Sequence, residues 1–209
     1  MDISKARDWV CGIAEKDLKE GLKAASNLDD WYRCQALARI AQYSRDHNEQ
    51  IKILHESFLA ARSCESPNRI VTVGSWPVKA LFNLGYREAG VTRAQELLSV
   101  IQTEKSPVKR GDALDFLLGA VIDGPRYLFW EIYENLFIAC TARLESGKKN
   151  GKGHGILASW AGVISNLDRQ RVETLLDVLE GPTHIEHAHR SIERAKGQPV
   201  YVLVSRPNI

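Results

Sequence analysis

At 209 residues, 44% hydrophobic and 26% charged, the chain has the composition of an ordinary soluble globular protein, long enough to bury a sizeable core as one domain or one extended repeat array. Its 28 basic residues against 26 acidic ones leave a formal net charge of +2, which argues against a dedicated nucleic-acid binder and leaves room only for a local basic patch. No apolar run nears the roughly 20 residues that cross a bilayer, and "MDISKARDWV" has no apolar leader core, so a cytoplasmic protein without a membrane role is expected.

In chain order, residues 3–26 predict one or two lead-in helices with a weak point at Gly12. Asp29 and Asp30 then open "WYRCQALARIAQYS", where Cys34, Leu37, Ala38 and Ala41 share one helical stripe. Ser66-Pro67 opens a second such run (Val73, Trp76, Ala80, Leu81, Leu84), and Ser106-Pro107 a third (Leu114, Leu117, Leu118, Val121). In both, a serine suits the N-cap because its hydroxyl can accept a bond from an orphan amide. Proline suits the first helical position because the N–H it lacks would have no partner there. The glycine-rich stretch from Gly147 to Gly155 precedes a fourth run, with Ile156, Trp160, Ala161 and Ile164 in register. These starts lie about 36 to 45 residues apart, the spacing of two-helix repeats.

Each run, an A helix, is followed by a B helix. The B segments carry the stripes Ile51/Leu54/Phe58/Ala61, Val91/Ala94/Leu98/Ile101, Phe129/Ile132/Leu136/Cys140 and Val172/Leu175/Leu179. Short polar or glycine-bearing turns join A to B. The expected organisation is one α-helical repeat domain: residues 1–28 an N-terminal cap, 29–181 the repeats, and 182–209 a polar cap helix from Thr183 to Lys196 with a tail. The tail, "QPVYVLVSRPNI", is β-rich, and is expected to lie as a strip on the last helix or to pair as a strand with another chain. The cysteines Cys11, Cys34, Cys64 and Cys140 are widely spaced with no CxxC pair, and read as free thiols of a reducing compartment.

The repeat period, the A/B pairing and the internal Pro77 of "GSWPVKAL" resemble HEAT-type repeats, with tetratricopeptide-like arrays a near neighbour. In such arrays the first helix is often bent near a proline, which removes one backbone bond. The resemblance covers residues 29 to 181. It implies an all-α fold, a right-handed α-α superhelix of about four hairpins with capping helices, whose B helices line a concave face.

Candidate site residues follow from that arrangement. The B helices carry Glu56, Glu96, Glu131, Glu134, Glu173 and Asp177 off their apolar stripes, against Lys52, Arg93 and Arg171. If the B helices line the inner surface, that surface leans acidic and suits a basic protein segment. Arg33, Arg69 and Lys109/Arg110 sit in the first turns of A helices, where a cation opposes the helix dipole. Acids just upstream (Asp29, Asp30, Glu65, Glu104) are expected to offset them as a ladder of ion pairs between repeats. The tryptophans Trp9, Trp31, Trp76, Trp130 and Trp160 are expected mostly in the core.

"ESGKKNGKGHG" fails as a phosphate-binding loop because Gly153 follows the Gly-Lys pair, and it follows a helix where such a loop follows a strand. Lys148, Lys149 and Lys152 remain a candidate anion-binding group. "THIEHAHR" puts His184 and His187 on one helical face, too few ligands for zinc unless His154 comes close. No GxSxG, HExxH or GxGxxG is present, so no catalytic residue and no cofactor are expected. The expected function is a protein-binding scaffold or adaptor; a small bacterial adaptor or a toxin-neutralising immunity-type protein fits equally. The alternatives are a nucleic-acid-binding helical protein, which needs Lys148, Lys149 and Lys152 on one face with Arg33, Arg69 and Arg110, and a metal-dependent enzyme built on the His184 region.

Overall fold

The computed structural model describes residues 3–144, 146–200, 203, 204 and 207, and among these the regular structure is helical, with no strand. The helices are α1 (Ile3–Ala14), α2 (Leu18–Ala25), α3 (Asp30–Ile40), α4 (His47–Arg62), α5 (Pro67–Asn83) and α6 (Arg87–Ile101). They continue with α7 (Pro107–Ala120), α8 (Arg126–Thr141), α9 (Gly151–Leu167), α10 (Arg169–Val178) and α11 (Pro182–Ala195). The four A/B pairs read from the 3.6-residue period are α3/α4, α5/α6, α7/α8 and α9/α10.

Each extensive packing contact joins helices that are adjacent or next but one in the chain. The A helices form one series: α1 packs on α3, α3 on α5, α5 on α7, α7 on α9 and α9 on α11. Each of α2, α4, α6 and α8 touches both its own A helix and the next one. The apolar stripes meet in that series. Leu114, Leu117 and Leu118 of α7, Leu136 of α8 and Leu157 of α9 have no exposed surface.

Helix starts follow side-chain chemistry. Ser106 caps α7 through the Lys109 amide at 3.4 Å, and Asp46 caps α4 through the Glu49 amide at 2.8 Å. Ser66 precedes Pro67 as expected but makes no capping bond; its hydroxyl donates to Asn68 Oδ1 at 3.0 Å. The lead-in breaks elsewhere than at Gly12. Helix α1 runs through Gly12, and the interruption falls before Asp17, whose carboxylate accepts from the amides of Lys19 and Glu20 at 3.0 and 3.1 Å. A good cap five residues later outweighs the modest cost of glycine inside a helix.

Pro77 sits inside α5, where it cannot donate to the carbonyl of Val73 four residues back. That carbonyl is not left empty: the buried Cys34 thiol of α3 donates to it at 3.4 Å. Ser57 of α4 closes the junction, its hydroxyl donating to the Cys34 carbonyl at 2.7 Å and lying 3.4 Å from the Cys34 sulfur. The proline that loosens one helix thereby ties three together.

Two further features depart from expectation. Ile51, assigned to the buried stripe of α4, is 42% exposed, because Ile53 and Leu54 fill the inner positions instead. The described tail residues reach past the last helix: the Lys79 ammonium of α5 donates to the Pro207 carbonyl at 2.7 Å, and Val200, Leu203 and Val204 pack on the main core. The remainder of the β-rich reading falls on residues 201, 202, 205, 206, 208 and 209, outside the described residues. All four cysteines are free thiols.

Candidate functional site

Each B helix buries one stripe and leaves the opposite one outward. Along α8 the outward positions Tyr127, Glu131, Glu134 and Ile138 follow helical spacing, and Tyr127 and Ile138 are 60% and 63% exposed. On α4 the matching stripe carries Ile51, His55, Leu59 and Arg62, with Leu59 49% exposed. Apolar side chains of this size left in water cost free energy unless something covers them.

Between α8 and α10 lies a groove of about 380 Å³ lined by Tyr133, Glu134, Phe137, Ile138, Arg171 and Thr174. Arg171 organises it. Asp168 starts α10 by capping the amides of Gln170 and Arg171 at 3.0 and 3.2 Å. The Arg171 guanidinium then crosses to α8, donating to Glu134 at 3.0 Å and lying 4.5 Å above the Trp130 ring. Trp130 meets Phe129 and Tyr133 edge to face, so the cation rests on a packed aromatic group. Tyr133 is buried, its hydroxyl has no hydrogen-bond partner among the described residues, and desolvation pushes its phenol pKa well up, opposed only in part by the Arg171 charge.

A second groove of about 400 Å³ lies between α4 and α6, with Leu54, Phe58 and Leu81 in its lining and Lys52, His55 and Arg93 among its walls. Arg93 sits 5.2 Å over the Phe58 ring and pairs with Glu96 at 2.8 Å.

Of the residues nominated from the B helices, Glu134 and Arg171 line the first groove and Arg93 the second, and the acidic lean largely cancels. Glu56 pairs with Arg33 at 3.5 Å, Glu96 with both Arg93 and Arg62, Glu134 with Arg171, and Glu173 with Arg169 at 3.8 Å. Arg62, Arg126 and Arg169 fall on the same helices as the nominated acids and add to the opposing charge.

The ion-pair ladder takes a different form as well. Among the described residues, neither Arg69 nor Lys109 nor Arg110 pairs with the acid upstream of its helix. The links between successive hairpins are Arg62 to Glu96, Asp112 to Lys152 at 2.5 Å, and Glu134 to Arg171. Trp160 of α9 adds a further tie, its indole N–H donating to Asp115 of α7 at 2.6 Å.

Of the anion-binding candidates, Lys149 is held by Glu180 and Lys152 by Asp112; Lys148 is exposed. Trp76 and Trp160 are buried as expected, whereas Trp9 is 58% exposed.

The histidines form a pair that the chain's linear order hides. His154, on the first turn of α9 and only 6% exposed, lies with its ring centre 5.9 Å from that of His184 on α11. Both are tied to the backbone of Glu180. The Glu180 amide donates to His154 Nδ1 at 3.1 Å, and His184 Nδ1 lies 2.8 Å from the Glu180 carbonyl. An amide only donates and a carbonyl only accepts, so His154 Nδ1 carries no proton while His184 Nδ1 carries one. The neutral His154 ring then keeps its proton on Nε2 and offers no free lone pair to a metal. Among the described residues no group of three or more His, Cys, Asp or Glu side chains is placed to hold a metal ion.

Comparison with protein-family models, with curated proteins and with solved structures gives no match for this chain.

Proposed function

We propose that the chain is a protein-binding module, a HEAT-like α-α solenoid whose B-helix face is the docking surface. The observation that carries this reading is the distribution of exposed apolar side chains. Of the six large ones exposed among the described residues, Ile51, Leu59, Tyr127 and Ile138 all lie on α4 and α8; Trp9 and Ile185 are on terminal helices. Contact restricted to near neighbours in the chain supports the solenoid, and such an array leaves one long face free.

The preferred occupant is a segment with an apolar anchor for the α8–α10 groove and a cation beside it. Glu131 and Asp177 are exposed there, and no ion pair among the described residues engages either. The nucleic-acid reading loses its footing because Arg33, Lys149 and Lys152 are each already engaged by a carboxylate. The metal-enzyme reading is disfavoured because His154 has no free ring lone pair and no group of three or more His, Cys, Asp or Glu among the described residues is placed to hold a metal.

The test is affinity capture with wild-type protein beside the Tyr127→Ala/Ile138→Asp and Glu131→Gln/Asp177→Asn variants. Captured peptides should be enriched in Lys or Arg next to apolar residues, and each double variant should weaken binding of the recovered segment by about tenfold or more, as for interface anchors. Arg69→Ala, on α5, should bind as wild type. Equal binding by all forms would exclude this face.

A further inference from the structure

The last described helix lies close against α9, through small residues and polar bonds more than through large apolar side chains. Among its side chains only Ala188 and Ala195 are buried, and both are small. Hydrogen bonds do much of the holding. Ser191 Oγ accepts from the Gly162 amide at 3.1 Å and donates to the Ser159 carbonyl at 3.0 Å. Asn166 Nδ2 donates to the Ala195 carbonyl at 2.9 Å. At the opposite end of the helix, His154 and His184 grip the turn into α11 through the Glu180 backbone, and Lys149 holds the Glu180 carboxylate.

That grip depends on an unprotonated nitrogen. With a proton on His154 Nδ1, its N–H would point at the N–H of Glu180, two donors facing each other, and the bond could not form. His184 behaves differently, since its Nδ1 already donates and a second proton would go to Nε2, away from the carbonyl. The groups facing His154 are Glu180 in the turn, His184 on α11, and Lys149 in the segment before α9, with Arg143 farther out toward Glu180. Lys152, on the same helix, is neutralised by Asp112 of α7. The Glu180 carboxylate favours a charged His154, but Lys149 holds that carboxylate, and burial together with His184 and Lys149 disfavours the charge.

We infer that His154, His184 and the Glu180 peptide form an acid-released latch: protonation of His154 frees the turn at residues 180–182 and lets α11 detach from α9. Detachment uncovers the α9 surface around Gly162, the end of the helix series. The direction follows from linkage. The closed form holds His154 neutral, the open form lets it take a proton at its ordinary value of 6.5, so closure is complete above that value and weakens as pH falls below it.

Hydrogen exchange followed by mass spectrometry on the full chain, at about pH 7.5 and about pH 5 with intrinsic rates corrected, tests the latch. Exchange across 183–195 should accelerate severalfold at the acid pH, while α5 and α7 stay unchanged. His154→Asn places an acceptor where Nδ1 lies but cannot titrate, and should keep α11 equally protected at both values. No acceleration in wild type, or the same acceleration in His154→Asn, overturns the proposal. Should that variant fail to fold, ring-nitrogen NMR of wild type decides. A proton on His154 Nδ1 at neutral pH, or a titration that leaves α11 amides unmoved, overturns it as well.

Discussion

Pro77 and Cys34 lie in different helices, yet each accounts for the other. The proline removes the donor for Val73, and the thiol supplies a replacement from α3. Cys34→Ala deletes that donor and leaves a buried carbonyl unpaired beside a small cavity, so it should destabilise the fold by about 1–3 kcal/mol. Cys34→Ser keeps a donor and should recover part of the loss; equal urea midpoints for all three proteins would refute the role. The same burial has a pH consequence. Cys34 and Cys140 are pushed up to about 12 from an ordinary 9.0, chiefly by desolvation. Their folded forms stay protonated while the unfolded chain ionises, so stability should hold below pH 9.0 and fall as pH rises toward about 12. Urea midpoints across that range check the sign, and Cys34→Ser should flatten the decline. The missing backbone bond at Pro77 was legible because proline acts on its own helix. The thiol's partner was not, since it exists only where three helices meet.

At the scale of the helix, α9 shows why composition misleads near glycine. Gly151, Gly153 and Gly155 read as a flexible loop before the helix, yet all lie within it, started by Asn150, which accepts from the Gly153 amide at 2.9 Å. A β-carbon at Gly153 would strike the Cys140 backbone, and one at Gly162 the Ser191 carbonyl, so these residues are glycine because neighbouring backbones approach closely. Gly162→Ala should therefore push α11 outward at about 1–3 kcal/mol. Gly155→Ala, with nothing nearer than His184 Nε2 at 4.0 Å, should be neutral or stabilising by up to about 1 kcal/mol. Thermal melts with α11 exchange rates separate the two; a tolerated Gly162→Ala would mean the crossing is looser than drawn. Helix α8 shows the converse limit. "YLFWEIYENLFIAC" is apolar almost all round, so period alone fixed the buried stripe of Phe129, Ile132, Leu136 and Cys140 but could not show that Tyr127 and Ile138 face outward. The exposed apolar half of the candidate face was hidden for that reason. Its charged half was legible residue by residue, though not the pairing that neutralises it.

Across the whole molecule, packing between near neighbours makes stability a sum of local terms. Helices α5, α7 and α8 have partners on both sides, whereas α10 and α11 each pack extensively on α9 alone. An interior helix cannot open without losing two interfaces, and a terminal one loses a single interface. Amide exchange at neutral pH should therefore be slowest in α5, α7 and α8 and grow toward both ends, with end openings several kcal/mol below the global value. One long-range tie works against that gradient. Lys79 of α5 grips the carbonyl of Pro207, linking the last described residue to the interior, and burial lowers the Lys79 pKa against the nearby Asp123 charge. Lys79→Met keeps the aliphatic stem and removes the donor, so it should raise exchange in α9 and α11 more than in α3 and α4. Uniform protection along the chain, or a Lys79→Met effect confined to α5, would mean the molecule unfolds as one cooperative unit and not as a series of stacked pairs.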